Sequence, residues 1–188
     1  MDIDRVMDEI QADSLGLNLE VYRANKALRL KILEKSDQYI ETPFSEWPVI
    51  YFNWDLSKQG QRFSLDGEKE AGFKIRYPEG FLLGTVALTS FDEKLCYFSR
   101  RNEGELWSVG SKNDLAYLIV YLSEKRPISP PLVKPHMMGE VMLQGGHHRY
   151  AIAKEIGEIS IPIYIEPHNK KEIDNLIEVN WCSLGGES

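Results

Sequence analysis

The segment that most constrains the fold lies in the last third of the chain, where a strand, two glycines, a helix and a second strand follow one another. Residues 140–144 (EVMLQ) have the composition of a short strand, and residues 147–156 have the spacing of a helix that ends at Gly157. Residues 161–165 (IPIYI) are rich in β-branched side chains and predict a second strand. A strand–turn–helix–strand order is typical of helices packed on a sheet. We therefore predict an α+β fold built on a small mixed β-sheet with flanking helices.

The remainder of the chain shows helical and β patterns in turn. Helical spacing of apolar residues predicts a helix from Ile3 that stops at residues 14–16, and a second helix from Asn18 with a basic, solvated face. β-branched and aromatic residues between positions 49 and 95 predict strands joined by turns, including strands in VIYFNW, FKIRY and FLLGTVAL. Further helices are predicted after Lys112 and over residues 169–179. We divide the chain into a helical and β elaboration, residues 1–110, packed on a core, residues 111–188.

Composition limits the partners and the compartment. The formal charge of −7 opposes non-specific coating of nucleic acid, and it leaves open a specific DNA contact or one local anion pocket. Cys96 and Cys182 are too few for a disulfide framework, so we interpret both as buried apolar residues. No apolar run reaches the ~18 residues of a membrane span, and no signal peptide precedes the first helix. We expect a cytoplasmic protein with no membrane partner.

The residues with chemical potential surround the glycine pair. Gly145 and Gly146 stand between a predicted strand and a predicted helix, where the helix N-terminus carries partial positive charge that suits phosphate or carboxylate. His147, His148 and Arg149 add side-chain donors in the first helical turn. Cations oppose the dipole at this end of a helix, so their presence favours a bound anion. The alternative is a polar surface turn in which Arg149 pairs with a nearby carboxylate.

The stretch EVMLQGGHHRYAIAKEIGEISIPIYI resembles the nucleotide-binding core of the ParB/sulfiredoxin-like superfamily, and the upstream PISPPLV resembles the extended strand before its motif. The resemblance covers about residues 125–166. It implies that Gly146, His148 and Arg149 contact phosphate, within a turn that also includes Gly145 and His147. It further implies a nucleoside triphosphate with Mg²⁺, or another phosphorylated small molecule, as the ligand.

Departures from the superfamily's motifs bear on the activity. Sulfiredoxins have a cysteine nucleophile at the position of His147, so sulfinic-acid reduction is not expected here. Free serine kinases of the superfamily have an aspartate at the position of Gly145, which puts a metal or general-base role in doubt. ParB proteins carry a helix-turn-helix domain after the motif, and only 39 residues follow Arg149.

We therefore expect a nucleotide-binding protein, with activity as a small ATP-dependent phosphotransferase or nucleotide hydrolase left open. His147 and Glu140 are the candidate catalytic residues, with Glu79 and Asp92 as further acids. The alternatives are a non-enzymatic DNA- or protein-binding module and, third, a nuclease. Two further hypotheses each involve four residues. A zinc site would use the histidines 136, 147, 148 and 168. A ring-stacking surface would use Trp47, Tyr51, Phe52 and Trp54.

Overall fold

A computed structural model describes residues 3–65, 68–108 and 110–182. Its α-helices are α1 Ile3–Leu15, α2 Leu19–Ser36, α3 Glu70–Arg76, α4 Leu88–Lys94, α5 Lys112–Ser123, α6 His147–Glu155 and α7 Lys170–Leu176. Its strands are β1 Asn53–Trp54, β2 Leu82–Ala87, β3 Pro127–Ile128, β4 Leu132–His136, β5 Glu140–Gly145, β6 Ser160–Ile165 and β7 Asn180–Trp181. A 3-10 helix at Gly60–Leu65, called the cover helix below, also bears on the site.

The main sheet has the strand order β5-β4-β6-β2-β7. Strands β4 and β6 run parallel, and the other neighbours are antiparallel, so the sheet is mixed. Strand β2 pairs with β6 along its whole length, from Leu82 opposite Ile165 to Ala87 opposite Ser160. The predicted α+β class is confirmed. The sheet takes strands from both predicted parts of the chain, because β2 precedes residue 111.

The core follows the alternation of side chains along the strands. Ile161, Ile163 and Ile165 of β6 are buried in a cluster with residues of α4, α6 and α7. Tyr164, which alternates with them, belongs to a second cluster with Phe81. A third cluster lies on α5, where the predicted apolar face is buried: Leu115, Leu118, Ile119 and Leu122. Alternate strand residues thus enter different parts of the core, as a sheet with both faces covered requires.

The capping residues and glycines in the sequence predicted most helix ends correctly. Ser111 caps α5 by accepting a hydrogen bond from the amide of Asp114, and Asn18 caps α2 through the amides of Glu20 and Val21. Gly157 follows α6 with a φ of +78°, a conformation that glycine adopts without strain. These ends agree with the prediction to within a residue or two. Helix α7 is shorter than predicted, because the backbone becomes extended at Ile177.

Several predictions about the first part of the chain were wrong. The FKIRY segment lies in and just after α3, because Phe73 must be buried while Ile75 stays 83% exposed. Residues two apart share a face in a strand and lie on opposite sides of a helix, so only a helix allows this. Within VIYFNW only Asn53 and Trp54 form a strand. At the other end of the described chain, the prediction that Cys182 is buried was also wrong, because Cys182 is exposed, whereas Cys96 is buried as predicted.

No helix in the described part of the chain combines the length and the apolar character that crossing a membrane requires.

Candidate functional site

The glycine turn joins β5 directly to α6. Gly146 is the N-cap of α6 and has a φ of +90°, in the left-handed region that favours glycine. A Cβ atom at this position would lie 2.8 Å from the Cα of Pro131. Conformation and space therefore both require a glycine at the start of the helix.

Gly145 is required for a different reason. A Cβ atom there would collide with the backbone carbonyl oxygen of Ser64 in the cover helix. The aspartate that free serine kinases carry at this position has no room here unless that backbone moves. The glycine turn is thus packed beneath the cover helix, and Gly145 serves close backbone packing.

Arg149 is buried, with 8% of its surface exposed, and it binds three backbone carbonyl groups. Its Nη1 donates to the carbonyl oxygens of Ser129, at 2.8 Å, and Pro130, at 3.1 Å, and its Nη2 donates to that of Phe63, at 3.2 Å. The guanidinium therefore connects the first turn of α6 to the cover helix and to the proline-rich segment before β4.

The two histidines of the first turn are half-buried. A Cβ atom at Gly110 would lie 2.9 Å from Nε2 of His148, so His148 reaches the loop that precedes α5. His147 is the first residue of α6. Both imidazoles lie at the positive end of the helix dipole.

Cations gather around one carboxylate near the last turn of α6. Lys154 binds both carboxylate oxygens of Asp92 in α4, at 2.8 and 2.9 Å. Tyr150 donates its hydroxyl hydrogen to the same carboxylate, and Arg100 lies 3.9 Å from it. Burial, and next the hydrogen bond to Asp92, raise the pKa of Tyr150 above its ordinary value. The carboxylate of Asp92 thus lies near two cations and accepts a hydrogen bond from a buried hydroxyl.

Arg101 lies deeper still, with 5% of its surface exposed. Its Nη1 donates to the carbonyls of Ser99, at 3.3 Å, and Arg100, at 3.1 Å. Burial lowers the pKa of its guanidinium, and the nearby Tyr150 and Glu105 oppose that shift. Sequence reasoning missed Arg101, because nothing local distinguishes it from the neighbouring Arg100.

The loop that carries these arginines contacts both β5 and α6. The amide of Cys96 donates to the Val141 carbonyl at 2.8 Å, and the amide of Leu143 donates to the Ser99 hydroxyl oxygen at 2.9 Å. The Arg101 amide donates to the Tyr150 hydroxyl oxygen at 3.5 Å, and the Arg101 carbonyl accepts a hydrogen bond from Lys154 Nζ at 2.6 Å. The loop therefore places Arg101 beside Tyr150 and Lys154 of α6.

The predicted catalytic pair is not brought together. Glu140 begins β5, opposite His136 in β4, whereas His147 follows the other end of that strand. Five residues of extended chain separate Glu140 from Gly145 by about 17 Å. Glu79 lines a cavity beside α3, and Asp92 lies under α6 in its ion pair.

The predicted metal sites are not assembled either. His136 and His168 line a groove with Glu166 and Glu172, and neither His147 nor His148 belongs to it. Across residues 3–65, 68–108 and 110–182, no group of three or more His, Cys, Asp or Glu side chains is arranged to hold a metal ion.

The aromatic residues near position 50 divide between core and surface. Trp47 is buried edge-to-face against Trp107, at 6.2 Å between ring centroids. Phe52 stacks on Trp54 at 4.6 Å, and the exposed Tyr51 lies 4.5 Å beneath the ammonium of Lys125. Packing therefore accounts for Trp47, and these rings form no single stacking platform.

Comparison with protein-family models, with curated proteins and with solved structures finds no match to this chain. The resemblance of residues 125–166 to the ParB/sulfiredoxin-like superfamily stays a prediction.

Proposed function

We propose that this chain binds the phosphate of a nucleotide or of another phosphorylated small molecule at the N-terminal end of α6. The observation that carries the proposal is the entry of β5 through Gly145 and the left-handed Gly146 into α6, where the N-cap contributes no side chain. A helix N-terminus entered in this way favours negative charge and lets an anion approach the backbone closely. His147 and His148 add side-chain donors at the same end.

The residues of the turn take different roles in the proposal. His147 and His148 contact the phosphate, whereas Arg149 is a positioning residue, because its guanidinium binds the carbonyls of Ser129, Pro130 and Phe63. Glu140 takes no part, since it begins the opposite end of β5. We propose further that β5, α6 and β6 form a ParB/sulfiredoxin-like core, which favours a nucleoside triphosphate as the ligand. The proposal extends to binding and not to phosphoryl transfer.

Isothermal titration calorimetry with ATP and with CTP, each with Mg²⁺, tests the proposal. We expect the wild type to bind, and His147→Ala to bind about tenfold more weakly, as the loss of one charge-assisted hydrogen bond predicts. The matched control is His168→Ala, an exposed histidine next to α7, which should bind like the wild type. No heat from a folded wild type with either nucleotide would refute the proposal.

A second candidate, a non-enzymatic protein-binding module, is favoured by a pair of exposed rings. Tyr97 and Phe98 are 80% and 72% exposed and pack edge-to-face at 5.8 Å. Exposed adjoining aromatics are typical of protein contacts. Sedimentation velocity across protein concentration tests self-association, which the double variant Tyr97→Ser, Phe98→Ser should abolish. A wild type that stays monomeric at every concentration would count against this contact.

A further inference from the structure

We propose that a cavity between the cover helix, α3 and the start of β2 binds a small planar molecule that carries negative charge. The cavity has a volume of about 890 Å³, within the usual range for small-molecule sites of ~300–1,000 Å³. Its lining includes Arg62 and Phe63 of the cover helix, Phe73 and Tyr77 in and after α3, Phe81, and the exposed Cys182. None of the residues 145–149 lines it, so this proposal is independent of the proposed function.

One wall of the cavity is aromatic. Phe81 packs against Phe73 at 5.2 Å and against Tyr77 at 4.9 Å between ring centroids, both edge-to-face. Phe73 and Phe81 are buried, and Tyr77 and Phe63 are more open. Such a group of rings offers a flat apolar molecule both stacking and edge contacts.

The cavity is formed without a ligand, because Gln61 fixes its walls to each other. The Gln61 Nε2 donates to the Phe81 carbonyl at 3.1 Å, and its Oε1 accepts from the Phe81 amide at 2.9 Å. Gln61 is buried, and Gly80, with a φ of +65°, leaves room for its amide. This double hydrogen bond ties the cover helix to the start of β2, so binding does not have to order the site first.

The charges at the rim select an anion. Of the charged lining residues, Lys74 is paired with Glu70 at 2.6 Å, and the others are the cations Lys58 and Arg62 and the carboxylate Glu79. Arg62 lies 4.1 Å above the Phe63 ring and donates a hydrogen bond, at 3.0 Å, to the Glu68 carbonyl. Among residues 3–65, 68–108 and 110–182 this hydrogen bond occupies one donor of its planar fork, so the other donors can bind a carboxylate or phosphate oxygen, which Arg binds in a bidentate manner.

The reactivity of the exposed Cys182 thiol reports whether the cavity is occupied, because Cys182 lines the cavity. Cys96 is buried and does not compete for the alkylating reagent. The experiment follows the alkylation rate of Cys182 in the full-length protein, with 2-naphthoate as the anionic probe and 2-naphthamide as its neutral match. We expect saturating 2-naphthoate to slow alkylation about tenfold, and the amide to protect several-fold less at equal concentration, because it lacks the charge that Arg62 binds.

Two variants test the contribution of the cations at the rim. Arg62→Gln should remove the difference between the two probes while leaving ATP calorimetry unchanged, and Lys58→Gln replaces it if that variant fails to fold. Absence of protection by both probes in the folded wild type would overturn the proposal. Equal protection by the anion and the amide would overturn its charge selectivity. Neither result would alter the outcome of the nucleotide titration at α6.

Discussion

Arg149 donates a hydrogen bond of 2.8 Å to the backbone carbonyl of Ser129. The sequence motif had predicted that this side chain contacts a ligand. Two further hydrogen bonds from its guanidinium go to the carbonyls of Pro130 and Phe63. The arginine of the glycine turn therefore holds three separate chain segments together. Its first role in this structure is to set the geometry of the turn.

Removing the Arg149 guanidinium should destabilise the fold. We expect Arg149→Met to lower the free energy of unfolding by about 3 kcal/mol, because three backbone carbonyls lose charge-assisted hydrogen bonds, two of which are buried. Urea denaturation followed by circular dichroism measures the change. The matched control is Arg5→Met, an exposed arginine that pairs with the exposed Glu9 at 3.0 Å on α1 and should change stability little. Equal stability of the two variants would contradict the role given to Arg149.

Gly145 and Gly72 form a matched pair for testing the close packing of the turn. We expect Gly145→Ala to cost about 2 kcal/mol or more, because its Cβ would meet the rigid backbone of Ser64. Gly72→Ala in α3 should be neutral or stabilising, because the nearest atom, 3.1 Å away, belongs to the flexible Glu68 carboxylate and alanine favours helices. Thermal unfolding compares the two. A Gly145→Ala protein as stable as Gly72→Ala would show that the cover helix does not press on the turn.

Acid should loosen α1 from α2 through one carboxylate. Asp8 accepts hydrogen bonds from Lys26, at 2.8 Å, and Arg23, at 2.9 Å, and these bonds hold the pKa of Asp8 below its ordinary value. Its contribution is therefore present above the ordinary aspartate pKa of ~3.9 and is lost as the pH falls through the lower folded value. The protection factors of the α1 amides, which are exchange rates corrected for their intrinsic pH dependence, should fall in acid. At neutral pH, Asp8→Asn should lower these protection factors in the same way, and Asp13→Asn should not.

Alkali should weaken the contact between α6 and α4. The folded pKa of Tyr150 lies above its unfolded value, so its contribution is complete below the ordinary tyrosine pKa of ~10 and declines as the pH rises beyond it. Tyr150→Phe removes the hydrogen bond to Asp92 and should cost about 1–2 kcal/mol at neutral pH. Urea titrations at neutral pH and above pH ~10 should show a smaller alkaline loss in this variant than in the exposed control Tyr97→Phe. Identical pH profiles would refute the linkage.

The sequence predicted the elements whose signals are local. Gly146 and Gly157 mark the ends of α6 because each needs a positive φ, and the alternation of isoleucines marks β6. Helix α3 was missed because FKIRY is rich in strand-forming residues, and the burial of Phe73 against the distant Phe81 and Tyr164 overrides that propensity.

The sequence predicted where the candidate site lies in the chain, but not the contacts that its side chains make. The glycine turn and its first helical residues are contiguous, so their position on α6 followed from the pattern. The partners of Arg149 lie 19 to 86 residues away along the chain, and no local pattern indicates them. Glu140 and His147 are far apart because β5 is extended from Glu140 to Gly145, so Glu140 lies at the first end of the strand and His147 follows the other end.

The measurement that tests the central claim most directly is hydrogen–deuterium exchange of the full-length protein with and without saturating ATP and Mg²⁺. If phosphate binds at the N-terminal end of α6, protection should appear in peptides that cover residues 144–150 and be absent from α1. Unchanged exchange at residues 144–150, or protection confined to another part of the chain, would contradict the claim.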